Sequence, residues 1–199
     1  MSAETDRLEL TERLNLIESM IAEGRRRTTK WGWMFVLWGV AYYVAVAWAS
    51  WGRSASAWPV TMVAAAVLTS VLASRTKRGQ PKTTTGRAVA APWIAMGISI
   101  TVVLAALGVN GRYDPHVFVA IIGAMLGTAH LTSAIILKWK MQFMCGLVWL
   151  AAGVAACFGS AAVAGIAFLA ATFLCQIVFG IYAMVLESRR RTQHGAVHA

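Results

Sequence analysis

Apolar residues in this chain run on without the regular polar interruptions that a soluble helix or strand needs. Six stretches read this way: Trp31 to Trp51, Ala57 to Ser74, Ala88 to Val109, His116 to Leu137, Met141 to Phe158 and Ala161 to Leu186. Each is close to the ~20 residues that carry a helix across a bilayer. Their continuity favours helices over barrel strands, which alternate polar and apolar over about 10 residues. Residues 4 to 23 follow another rule. Leu10, Leu14, Ile17 and Ile21 recur at intervals of 4, 3 and 4, one stripe of a helix, broadened by Leu8, Leu16 and Met20. The pattern predicts an all-α polytopic membrane protein: a six-transmembrane-helix bundle of three antiparallel hairpins, preceded by an amphipathic N-terminal helix. Its parts are residues 1–30, residues 31–187 and a basic tail over 188–199.

Composition narrows the class. Hydrophobic residues make up 58% of the chain and charged ones 13%, against roughly 25% charged in soluble domains. A soluble fold could not hide that much apolar surface, and three cysteines are too few for a disulfide scaffold.

Charge sets the orientation. Arg25, Arg26, Arg27 and Lys30, then Arg75, Lys77, Arg78, Lys82 and Arg87, then Lys138 and Lys140, then Arg189, Arg190 and Arg191 fall on one side of the predicted membrane. Only Arg53 and Arg112 fall on the other. The excess of positive charge in cytoplasmic segments then puts both termini in the cytoplasm of a bacterial-type plasma membrane. It also accounts for the high pI without a nucleic-acid partner and gives the basic flanks an attraction to anionic lipid headgroups. Trp31, Trp33, Trp93 and Trp139 mark one interface and Trp48, Trp51 and Trp58 the other. Pro59, Pro92 and Pro115 are expected at or just before helix starts, so no kink is predicted. The polar, acidic first 23 residues do not read as a cleavable signal peptide.

The N-terminal segment is chemically distinct. Glu4, Asp6, Glu9, Glu12, Glu18 and Glu23 outnumber Arg7 and Arg13, leaving it four negative charges in a basic protein. Ser2 or Thr5 is expected to cap the helix, Glu9 and Arg13 to pair, and Gly24 to end it. Surface-lying membrane helices carry Lys and Arg on the polar face, so an acidic helix prefers protein. Its candidate docking sites are the chain's own basic loop over 75–87, a second copy, and a cytoplasmic partner.

The spans themselves are chemically bare. None holds Asp, Glu, Lys or Arg well inside, which counts against a proton-coupled transporter. It also counts against an enzyme, since Asp114 and Glu187 are the only acids after residue 23 and fall on opposite sides. One row stands out. His116, Ala120, Gly123, Gly127, His130 and Ala134 share a helical face, with Gly123 and Gly127 forming a GxxxG pair. Close helix packing is the expected use, with His130 hydrogen-bonded to a threonine or a carbonyl. The 14-residue His spacing also resembles that of b-type cytochromes, where one helix offers ligands to two haems; that resemblance implies haem or pigment binding, with Met96, Met125 or Met144, or a His of another subunit, as the second ligand. Smaller rows at Ala41/Ala45/Ala49, Gly97/Thr101/Ala105 and Ala151/Ala155/Gly159 predict a tightly packed bundle. Cys145, Cys157 and Cys175 read as small apolar residues. The last hairpin, with Gly146, Gly153 and Gly180, resembles the HdeD-type acid-resistance membrane proteins over about 45 residues.

No cofactor or metal is called for. The expectation is a non-enzymatic regulatory or scaffolding membrane protein whose N-terminal helix docks on a partner or a second copy. The alternative is a small oligomeric transporter or channel for an apolar or weakly polar solute along the His116–His130 face.

Overall fold

In a computed structural model, residues 2–52, 54, 56–77, 84–111 and 114–196 are described, and no strand occurs among them. Arg53, Arg112, residues 78–83 and His198 lie outside the described residues, as do the side chains of residues 2–6, 8, 27, 76, 77, 84, 85, 191 and 193–196. The elements are α1 (Ser2–Lys30), α2 (Gly32–Gly52), α3 (Ala57–Lys77), α4 (Thr84–Val109), α5 (Pro115–Leu137), α6 (Lys140–Phe158), α7 (Ala161–Thr172), a π-helical turn over Phe173–Val178, and α8 (Phe179–Ala196). Six helical stretches are long and apolar enough to cross a membrane, the sixth running from α7 through the π turn into α8 as far as Arg190. The chain is a multi-pass membrane protein.

Local chemistry explains several boundaries. Asp114 caps α5, its carboxylate accepting from the backbone N–H of His116 at 2.7 Å and of Val117 at 3.2 Å. Pro115 follows at the first helical position, where a missing N–H costs nothing. Asp114→Ala is expected to remove about 1 kcal/mol, seen as a small drop in the midpoint of thermal unfolding in detergent. At its other end α5 closes on Lys138, which adopts the left-handed conformation with φ 48° and ψ 44°. Ser160 starts α7 by accepting from Val163 N–H.

Two boundaries depart from expectation. Gly24 does not end α1; it is buried and the helix continues to Lys30. Thr28 donates to the Gly24 carbonyl and Thr29 to that of Arg26, and packing of this stretch on the bundle outweighs the weak helix propensity of glycine. Pro92 does not mark a helix start either. It lies inside α4, which begins at Thr84, so the Ala88 carbonyl lacks its usual N–H partner.

The spans are unequal. α5 and α6 pack along their lengths, α7, the π turn and α8 pack on this pair, and α2 packs on α8 and the π turn. Gly32 and Gly180 let α2 and α8 touch: a Cβ on either would lie 2.8 Å from the carbonyl oxygen of the other. Gly39 lies against the Ile177 and Gln176 side chains of the π turn, which a Cβ there would meet at 2.8 and 2.9 Å. α3 packs on α2, and α4 on α5 and α1, at the outside. The row Gly97, Thr101, Ala105 was expected to be packed, but all three residues are exposed and nothing lies within 4 Å of a Cβ placed on Gly97. α4 is held by its other face, through Trp93, Met96, Ile100 and Leu104.

Candidate functional site

Three features carry chemistry beyond a packed bundle. The first is α1. Its C-terminal third is fastened: the Arg25 guanidinium donates to the carbonyl oxygens of Leu137 at 2.5 Å and Lys138 at 2.6 Å. These are two of the carbonyls that the end of α5 leaves without helical partners, and the negative end of a helix dipole favours a cation there. Thr29 is buried against Glu187 of α8, their oxygens 3.3 Å apart. The rest of α1 stands clear. Leu10, Leu14 and Ile17 are 60%, 59% and 52% exposed, and Ile21 is half-buried. Glu9 and Arg13 form the expected pair at 2.5 Å. The expected stripe is therefore present as an uncovered row of apolar side chains on a helix anchored at one end.

The second feature is the small face of α5. Gly123 and Gly127 meet α6 closely. A Cβ on Gly123 would lie 2.7 Å from the Trp149 carbonyl oxygen and 2.8 Å from the Gly153 backbone; one on Gly127 would press on the Leu150 side chain at 2.8 Å. The space these glycines open is occupied by α6, not left for a macrocycle. His116 sits at the far end of the same face, its Nδ1 2.9 Å from the Ala156 carbonyl.

His130 corrects the expectation made for it. It is fully buried, but among the described residues neither ring nitrogen has a hydrogen-bond partner. Its neighbours are aromatic rings from three other helices: Trp93 of α4 edge-on at 4.9 Å, Phe35 of α2 at 5.6 Å and Phe179 of α8 at 6.0 Å. Trp93 is not an interfacial anchor either, since its indole N–H donates to the buried Ser133 hydroxyl at 2.8 Å. His116 and His130 thus share a face of α5 but not a site.

The third feature was not read from the sequence as one. Besides both nitrogens of His130 and the hydroxyl of Thr69 on α3, the side-chain N and O of Gln142, the indole N–H of Trp149 and the hydroxyl of Thr172 are buried without partners among the described residues. His130, Gln142, Trp149 and Thr172 are fully enclosed. Each such group left unpaired costs about 1–3 kcal/mol. The available signal was polarity inside apolar runs: His130, Gln142 and Thr172 each interrupt one. Cys175 Sγ approaches the Cys145 carbonyl at 3.4 Å in the same region, while Cys157 is exposed. Among the described residues no three His, Cys, Asp or Glu side chains gather as a metal site would require. Compared with family models, curated proteins and solved structures, the chain has no match.

Proposed function

We propose that the protein is a non-enzymatic component of a bacterial-type plasma membrane, regulatory or scaffolding in kind. Its acidic, amphipathic N-terminal helix docks on a protein, either a cytoplasmic partner or a second copy. The spans form three antiparallel hairpins with both termini in the cytoplasm, and the basic flanks hold anionic headgroups. The observation that carries this reading is the uncovered row Leu10, Leu14 and Ile17 on a helix whose other end is tied down by Arg25 and Thr29. An apolar row of this kind lies readily in a protein groove, with anchors one helical turn apart. Its acidic setting disfavours the anionic membrane surface as an alternative cover.

The test is a crosslinking comparison in native membranes between the full chain and a variant carrying Leu10→Ser, Leu14→Ser and Ile17→Ser. Burying each such side chain is worth about 1.5–3 kcal/mol, so losing three should weaken association by orders of magnitude and remove the crosslinked species. A homodimeric product identifies a second copy; a heteromeric one identifies a partner. The same products from both chains would refute the docking role.

A further inference from the structure

The uncovered row on α1 has a register. Leu10, Leu14, Ile17 and Ile21 are spaced 4, 3 and 4 apart, which is the d-a-d-a seam of a heptad repeat. The register fixes where each charge of the segment stands. Glu9 and Glu23 take position c and Glu12 position f, all turned away from a helix packed along the seam. Between Leu10 and Ile21 only two charges border the seam, Arg13 at position g and Glu18 at position e. Both are exposed. The negative charge of α1, which would hold two copies apart if it lined the seam, stands mostly off it.

The two bordering charges select a partner and a direction. In a parallel pair of identical helices, position g of one faces the position e that lies five residues on in the other, and such pairs set partner and orientation. Arg13 then meets Glu18 of the second copy, and two-fold symmetry makes the contact twice. In an antiparallel pair, g faces g and e faces e. With Leu10 opposite Ile21 and Leu14 opposite Ile17, Arg13 comes nearest Met20 and Glu18 nearest Thr11, so neither finds an opposite charge. Arg13 already holds Glu9 of its own helix at 2.5 Å, but a guanidinium carries five donors and serves both carboxylates.

Four apolar layers make a weak zipper between free peptides, because short helices are marginal in water. Here the helix is already formed and is tied to the bundle by Arg25 and Thr29, so less freedom is lost on pairing. Two copies held in one membrane also meet at a raised effective concentration.

We propose that the occupant of the Leu10–Ile21 row is the same row of a second copy. Two chains form a parallel, in-register, two-stranded zipper, with the Arg13–Glu18 pairs fixing its direction. The inference rests on the docking reading above and narrows its partner to one. Charge exchange in the full chain, read by crosslinking in native membranes, tests it. Arg13→Glu and Glu18→Arg, carried on separately tagged chains, each place like charges across the seam. Expressed alone, each should give several-fold less crosslinked homodimer than wild type. Expressed together, each chain supplies the charge the other has lost, and the mixed dimer should return to the wild-type yield. Leu14→Cys should also crosslink to its own copy through a short thiol reagent, with the wild-type chain, whose cysteines lie in the spans, as the blank. A homodimer indifferent to both reversals, or a mixture that fails to restore it, would overturn the proposal. So would a wild-type chain that gives only a heteromeric product lost in the Leu10→Ser, Leu14→Ser, Ile17→Ser variant, although the docking reading would then stand. Products that survive those three serines would sink both.

Discussion

Gly123→Leu should prevent α5 from seating on α6, and the variant should fail to accumulate in the membrane. The reason lies in what surrounds the site. A single Cβ at 123 would already stand 2.7 Å from the Trp149 carbonyl and 2.8 Å from both the N and the Cα of Gly153. All three are backbone atoms, so no side chain can swing aside and the helices must separate. Helix association in lipid rests on close packing more than on the hydrophobic effect, because the released face meets acyl chains as apolar as itself. Separation therefore removes the main attraction along the whole contact. The graded variant Gly123→Ala should cost about 1–3 kcal/mol, the usual range for overpacking. Gly127→Ala provides the control. Its added Cβ meets the Leu150 side chain, with the nearest backbone atom, the Gly146 carbonyl oxygen, farther off at 3.2 Å, and Leu150 has rotamers with which to yield. Reversible unfolding in detergent should rank the two alanine variants, with 123 the more damaging. Equal losses would show that the α5–α6 contact is looser than these distances state.

Arg25→Ala should release α1 from the bundle while leaving the spans folded. One guanidinium satisfies two consecutive carbonyls, those of Leu137 and Lys138, at the point where α5 stops. Hydrogen bonds to a charged donor contribute about 1.5–3 kcal/mol each. Without them those carbonyls lose their partner, and α1 is left to its packing on α8, α4 and α2, with Thr29 against Glu187. Arg25→Lys should rescue only part of the effect, since an ammonium lacks the planar fork that spans two acceptors. Limited proteolysis is a direct reading: cleavage within residues 7–24 should accelerate in Arg25→Ala, with the unfolding temperature of the spans little changed. An unchanged proteolysis rate would mean that Thr29 and its neighbours suffice to hold α1.

Much of the architecture follows from how strongly a bilayer constrains sequence. A spanning helix must be long and almost unbroken in apolarity, so the stretches from Trp31, Ala57, His116, Met141 and Ala161 begin within a residue of the observed helices. Helix α4 starts four residues before the expected Ala88, because Pro92 reads as a start signal but is carried inside the helix. Gly24 misled in the same way, a weak local preference overruled by contacts with distant parts of the chain. What the pattern could not convey is which spans lie inside. All six are apolar on every side, so the lipid-exposed row on α4 and the packed row on α5 look alike in sequence. The surroundings of His130 were invisible for a related reason: Phe35, Trp93 and Phe179 come from three separate helices. The π turn over Phe173–Val178 lies within an apolar run that reads as ordinary α-helix. The polar residues beside it stood in plain view, but only their enclosure without partners makes them notable.

The contact between Gly32 and Gly180 joins the first span to the last. A ribosome delivers the first of these to the membrane well before the second exists. During that interval the glycine-bearing face of α2, including Gly39, has no cover except lipid or whatever the insertion machinery supplies. The bundle cannot mature span by span in the order of its synthesis: α2 must wait beside α3 until the sixth span arrives to close against it. A chain interrupted before residue 173 would present this unclosed face, and quality control in the membrane would have a concrete mark by which to recognise it.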